Sequence, residues 1–137
     1  MKKILLIFIC IFSIFAHASA QKNEVPEIKV YCKVRCIGYN LFKSDVNALV
    51  DFGIAEKGEY ANGWIYNPDT DKKMSFASPV SVLSYMSRRG WEYKDTVIMP
   101  GDGKTDDKTV WYFILSKDMP GDCTPEDIIG DIDYRNK

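Results

Sequence analysis

The stretch Thr109 to Leu115, TVWYFIL, constrains the fold more than any other in this chain. Read as a strand, it is apolar on both faces. Val110, Tyr112 and Ile114 point one way, and Trp111, Phe113 and Leu115 point the other. A strand of this kind lies inside a sheet or is covered twice. One short helix covers one face only. The second face then needs the loop at 53–63, the tail, a partner molecule or a ligand, which makes Trp111 and Phe113 a candidate interaction face.

The strands that accompany it are legible from their period of two. Ile28, Val30, Cys32, Val34 and Cys36 alternate with Lys29, Tyr31, Lys33 and Arg35, which marks a half-buried strand. After a loop at 38–44, Val46, Ala48, Val50 and Phe52 alternate with Asp45, Asn47, Leu49 and Asp51. A hairpin centred near Asn40 sets Arg35 against Asp45, Tyr31 against Leu49 and Lys29 against Asp51. It also puts both apolar sets on one side. Cross-strand pairs of this sort each contribute about 0.2–1 kcal/mol. Trp64-Ile65-Tyr66 reads as a short strand, Asn67 to Asp71 as a turn, and Met74-Ser75-Phe76 as the returning strand.

The segment SPVSVLSYMSRRGWEYK at 78–94 reads as the main helix and its exit. Ser78 is suited to cap the N-terminus, and Pro79 fits the first helical position. Val82, Leu83 and Met86 share one face at helical spacing. The helix spans about 79–89, with Arg88 and Arg89 near its C-terminal dipole. Gly90 stops it in the left-handed conformation, and Trp91 opens a strand that runs to about Met99. Glu92 is either a solvated strand residue or half of a salt bridge with Arg88 or Arg89. Past Pro120-Gly121-Asp122, a turn, Thr124-Pro125-Glu126-Asp127 has the signature of a short C-terminal helix through Ile128 and Ile129.

The first twenty residues carry an export signal. Lys2 and Lys3 precede the apolar run Ile4 to Phe15, and Ala18-Ser19-Ala20 fits a signal-peptidase site. The run is too short for the roughly 30 Å bilayer core, so no stable anchor is expected after cleavage. Cys10 is not a lipidation cysteine, since the apolar run continues past it. Removing the first 20 of 137 residues leaves 117, enough for one domain. The expected layout is a cleaved signal peptide at 1–20, a flexible leader at 21–27, a single α+β domain at 28–117 and a tail at 118–137. Its localisation is the periplasm or the extracellular space. Taking Lys2 and Lys3 from the 18 basic residues leaves 16 against 19 acids, which does not describe a nucleic-acid binder. The only histidine is His17, inside the signal. The mature chain therefore lacks Ser-His and Cys-His nucleophile pairs and the commonest metal ligand. Any catalysis would fall to carboxylates, Lys, Tyr or Cys.

Sequence motifs for chemistry are sparse. Gly103-Lys104-Thr105 echoes a phosphate-binding loop, but the required earlier glycine position is Ile98 and no helix pattern follows. Asn67 to Lys72 offers alternating oxygens like a calcium loop, but Lys72 stands where glycine belongs and Ser78 where an acid belongs. A carboxylate- or calcium-dependent module is the alternative reading. It would need Glu56, Glu59, Asp69, Asp71 or the loop acids Asp102, Asp106 and Asp107 to converge. No cofactor is implied. Three cysteines remain after cleavage. Cys32 and Cys36 lie about 13 Å apart on an extended strand, too far to bond to each other. Cys36–Cys123 and Cys32–Cys123 are the candidate disulfides, either of which would tie the tail to the sheet.

The order of these features, from about Asp69 to Leu115, resembles a group of small exported proteins of unknown function from Bacteroidales. It is similar, more loosely, to a widespread domain family of unknown function with a helix, a Gly-Trp-Glu and a closing aromatic strand. The residues that carry the resemblance are Ser78, Leu83, Tyr85, Met86, Gly90, Trp91 and Glu92. The cysteines and the tail after Lys117 lie outside it. The resemblance implies an α+β fold with a helix packed on an antiparallel sheet, and it implies no activity. The sequence as a whole points to an antiparallel sheet of about four to six strands with one main helix on one face. The expected function is binding, of an unknown protein or small ligand, or self-association, without catalysis.

Overall fold

Alternation decides the first strand. Cys32, Val34, Cys36 and Gly38 are buried while Tyr31, Lys33 and Ile37 between them are exposed, the pattern of a strand with one wet face. A computed structural model describes residues 24–54, 62–100 and 108–135. The expected export segment lies outside these residues, as do Glu56, Glu59, Asp102, Asp106 and Asp107. The described strands are β1 (Glu27–Gly38), β2 (Leu49–Asp51), β3 (Asn62–Asn67), β4 (Lys72–Lys73), β5 (Glu92–Met99), β6 (Thr109–Pro120) and β7 (Tyr134–Arg135). The helices are α1 (Pro79–Ser87) and α2 (Pro125–Ile129). The fold is α+β: one antiparallel sheet in the order β4-β3-β2-β1-β6-β5, with β7 paired to β3.

The sheet has seven strands, more than the four to six expected, because β4 and β7 are two-residue strands too short to show a period. The returning strand is Lys72–Lys73, and Phe76 forms an isolated bridge with Val46 in place of the expected pairing. The long ladder is β1 against β6, from Glu27↔Pro120 to Gly38↔Thr109. Thus β1 takes in the last residue expected in the leader, and β6 runs across the expected boundary at 117. The tail carries α2 and adds β7 to the same sheet, against β3.

The first hairpin forms in a different register from the expected one. Arg35 lies opposite Leu49 and Lys33 opposite Asp51, so the loop is centred two residues later than Asn40. A shift by an even number of pairing positions keeps every side chain on its face. Val46, Ala48, Val50 and Phe52 are accordingly all buried with β1's inner face.

Trp111, Phe113 and Leu115 face the core under α1, at 5%, 2% and 1% exposure. This corrects the reading of Trp111 and Phe113 as an interaction face: they are the covered side of β6. The other side, Val110, Tyr112 and Ile114, is half-buried among its neighbours on the sheet. Trp91 packs beside Phe52 with ring centroids 5.7 Å apart, and Tyr134 meets Phe52 edge-on at 5.2 Å. Such aromatic pairs add about 0.5–1.5 kcal/mol beyond their buried area.

All three described cysteines are free thiols, which corrects both candidate disulfides. The β1–β6 register explains why. Cys123 follows Pro120, which sits opposite Glu27 at one end of β1. Cys32 is five positions along from Glu27, about 17 Å at strand spacing, and Cys36 is farther still. A disulfide needs alpha carbons within about 7 Å.

Candidate functional site

The site grows from the way α1 ends. Ser78 caps the start: its hydroxyl accepts from the Ser81 N–H at 3.1 Å, and Pro79 opens the helix as expected. The helix closes at Ser87, earlier than the expected 89. The Gly90 N–H donates to the Ser87 carbonyl at 3.0 Å and the Trp91 N–H donates to the Met86 carbonyl at 3.2 Å. These two bonds with Gly90 at φ +83° make a Schellman turn. The turn throws Trp91 back into the core, at 2% exposure, and launches β5 along β6. Met86 is fully buried, and Tyr85 stacks edge-on against Phe76 at 5.3 Å.

α1 is short and leaves most of β5 exposed. β5 is the last strand at its side of the sheet, and only Thr96 in it is even half-buried. Tyr93, Val97, Ile98 and Met99 are 53%, 51%, 59% and 52% exposed. The register puts Thr96 opposite Phe113 and Ile98 opposite Trp111, so both share the inner face, while Val97 and Met99 share the outer face. Apolar groups are thus presented on both faces of a strand whose outer backbone edge pairs with nothing described.

Between α1 and the start of β5 lies an open groove of about 870 Å³. Leu83, Trp91 and Leu115 form its apolar floor, and Ser84, Ser87, Arg88, Glu92 and Tyr93 form its rim. Glu92 finds its partner on its own strand: the Lys94 ammonium lies 2.6 Å from its carboxylate. That hydrogen bond holds the Glu92 carboxyl below its usual range. The expected bridges from Glu92 to Arg88 or Arg89 do not form. Arg89 turns to Asp131, at 3.0 Å, and covers the Tyr85 ring at 3.6 Å. Arg88 stays exposed at the rim of the groove.

Of the sequence-derived signature, Leu83, Gly90 and Trp91 line the groove, while Ser78 and Met86 build the helix that bounds it. Sequence reasoning missed Tyr93, Val97, Ile98 and Met99 as surface. The signal available was the change within β5 from the charged Glu92-Tyr-Lys-Asp95 to the uncharged Thr96-Val-Ile-Met99. Among the alternative's acids, Asp71 ion-pairs with Arg135 at the β3–β4 turn. No group of three or more His, Cys, Asp or Glu able to hold a metal occurs among the described residues, and no described helix is long and apolar enough to cross a membrane.

Comparison with protein-family models, with curated proteins and with solved structures finds no match.

Proposed function

We propose that this protein is an exported, non-catalytic binding module that takes up an extended segment of another chain by strand addition at β5. The observation that carries the reading is the β5 edge, unpaired among the described residues, with four exposed large apolar side chains beside an open apolar groove. A natural edge strand is ordinarily short, charged or covered, since its free N–H and C=O groups recruit other strands. Here the guard is partial: Lys94, Asp95 and a bulge between Tyr93 and Asp95 protect the first half, and the Asp95 carboxylate accepts from the Thr96 N–H at 2.7 Å, while Val97 to Met99 carry no charge. Strand addition supplies affinity through main-chain hydrogen bonds and specificity through pockets for alternate side chains. The groove floored by Leu83, Trp91 and Leu115 is placed to receive side chains on the inner face of an added strand.

The test is selection of peptides from a random display library on sparsely immobilised protein, followed by binding to variants. Selected peptides should lose at least tenfold in affinity for Ile98→Lys and for Leu83→Arg, with both variants folded by circular dichroism. Peptides that bind both variants as well as the native protein would refute strand addition at β5.

A further inference from the structure

We infer that the strand taken up at β5 is the β5 of a second copy of this chain, paired antiparallel about a two-fold axis at Thr96. The inference rests on the strand-addition reading above and names its partner. The bulge supplies the first support. Lys94 and Asp95 together take one position of the ladder, since Tyr93 lies opposite Leu115 and Asp95 opposite the adjacent Ile114. The strand then alternates regularly, with Tyr93, Thr96 and Ile98 on the inner face and Glu92, Val97 and Met99 on the outer. Thr96 stands at the middle of this succession, with three positions on either side.

A two-fold axis at Thr96 therefore pairs the strand over its whole length and keeps faces matched. Ile98 of one copy lies opposite Tyr93 of the other, two exposed apolar side chains meeting on the inner face at the mouth of the groove. Met99 lies opposite Glu92, and Val97 lies opposite the Lys94–Asp95 bulge. Thr96 meets Thr96; its N–H, which donates to its own Asp95 carboxylate at 2.7 Å, and its hydroxyl, which donates to Tyr93 Oη at 2.9 Å, exchange these partners for the second copy on pairing. No like charges face each other. An axis at the bulge would set Asp95 against Asp95, and an axis at Val97 would leave Glu92 and Tyr93 unpaired. An axis between two residues would turn the apolar groups to opposite faces. Pro100 follows Met99 and offers no N–H to continue the ladder, so the pairing ends where the strand ends.

One strand pair is a small contact beside the roughly 1,600 Å² of a standard interface, so the dimer should dissociate on dilution. Sedimentation equilibrium of the purified protein over a concentration series is expected to show a monomer–dimer equilibrium, weakened at least tenfold by Ile98→Lys. In a Cys123→Ser background, Thr96→Cys is expected to form an intermolecular disulfide on mild oxidation. Val97→Cys is not, because its two copies would lie about 8 Å apart from the strand spacings. A monomer at every concentration, a dimer indifferent to Ile98→Lys, or equal crosslinking at 96 and 97 would each overturn the inference. A monomer that still binds selected peptides through β5 overturns the second copy alone. A protein that does neither overturns the strand-addition reading with it.

Discussion

The backbone N–H of Trp91 donates to the carbonyl of Met86 at 3.2 Å, and this one bond joins the end of the helix to the start of the edge strand. It fixes the angle at which β5 leaves α1, and with it the width of the groove between them.

Gly90 makes that bond attainable. Its φ of +83° is costly for any residue with a Cβ, and a Cβ there would also press the Lys117 side chain, at 3.3 Å. Gly90→Ala is expected to lose about 1–2 kcal/mol of stability. Urea unfolding monitored by tryptophan fluorescence measures it. An unchanged midpoint would mean that the turn is not the constraint described here.

Met86 is fully buried beneath the same turn. Met86→Ala leaves a cavity between α1 and the sheet and should cost about 2–5 kcal/mol. Leu83, one turn earlier and only half-buried at the groove, should cost distinctly less on the same truncation. Equal losses at the two positions would show that the groove face of α1 is packed rather than open.

The thiols should behave in two classes. Burial pushes the Cys32 and Cys36 thiols up to about 12 from 9.0, so both stay protonated and shielded in the folded protein. Cys123 is half-exposed. Of the three described cysteines, iodoacetamide on the native protein should label Cys123 alone, and all three only after unfolding. Mass spectrometry of the labelled protein reads this directly.

The same burial has a pH consequence. Above pH 9 the unfolded chain loses its thiol protons while the native state keeps those of Cys32 and Cys36. The native state then binds more protons, and stability falls as pH rises from about 9 toward 12. Tyr85 and Tyr134, raised in the fold mainly by burial, act in the same direction. Replacing Cys32 and Cys36 by Ala should flatten the alkaline part of the stability profile. A profile as steep without the two thiols would assign the loss to other groups.

What the sequence disclosed follows from the range over which each feature is determined. Ser78, Pro79 and Gly90 act within a few residues, so the helix and its exit were legible locally. Alternation in β1 and around Val50 is also local, and it placed those side chains on the correct face. The register of that hairpin depends on how the loop after Gly38 closes, and no pattern in the strands records it. Trp111 and Phe113 were assigned to the wrong side of β6 because both faces of that strand are apolar. Only the position of α1 decides which face is covered. The disulfides failed for the same reason, since the place of Cys123 is set by which residue of β1 pairs with Pro120. That β5 lies at the edge is a property of strand order, and so the exposure of Ile98 and Met99 was invisible until the sheet was assembled.

Backbone hydrogen exchange of Glu92–Met99 reads strand addition at β5 without any substitution. The purified protein is compared dilute, concentrated, and with a saturating selected peptide. The edge amides of β5 are expected to exchange fast in dilute protein and to slow markedly when concentration or peptide supplies a strand, while β1 and β6 stay protected throughout. Edge amides that exchange equally fast in all three conditions would show that β5 accepts no strand.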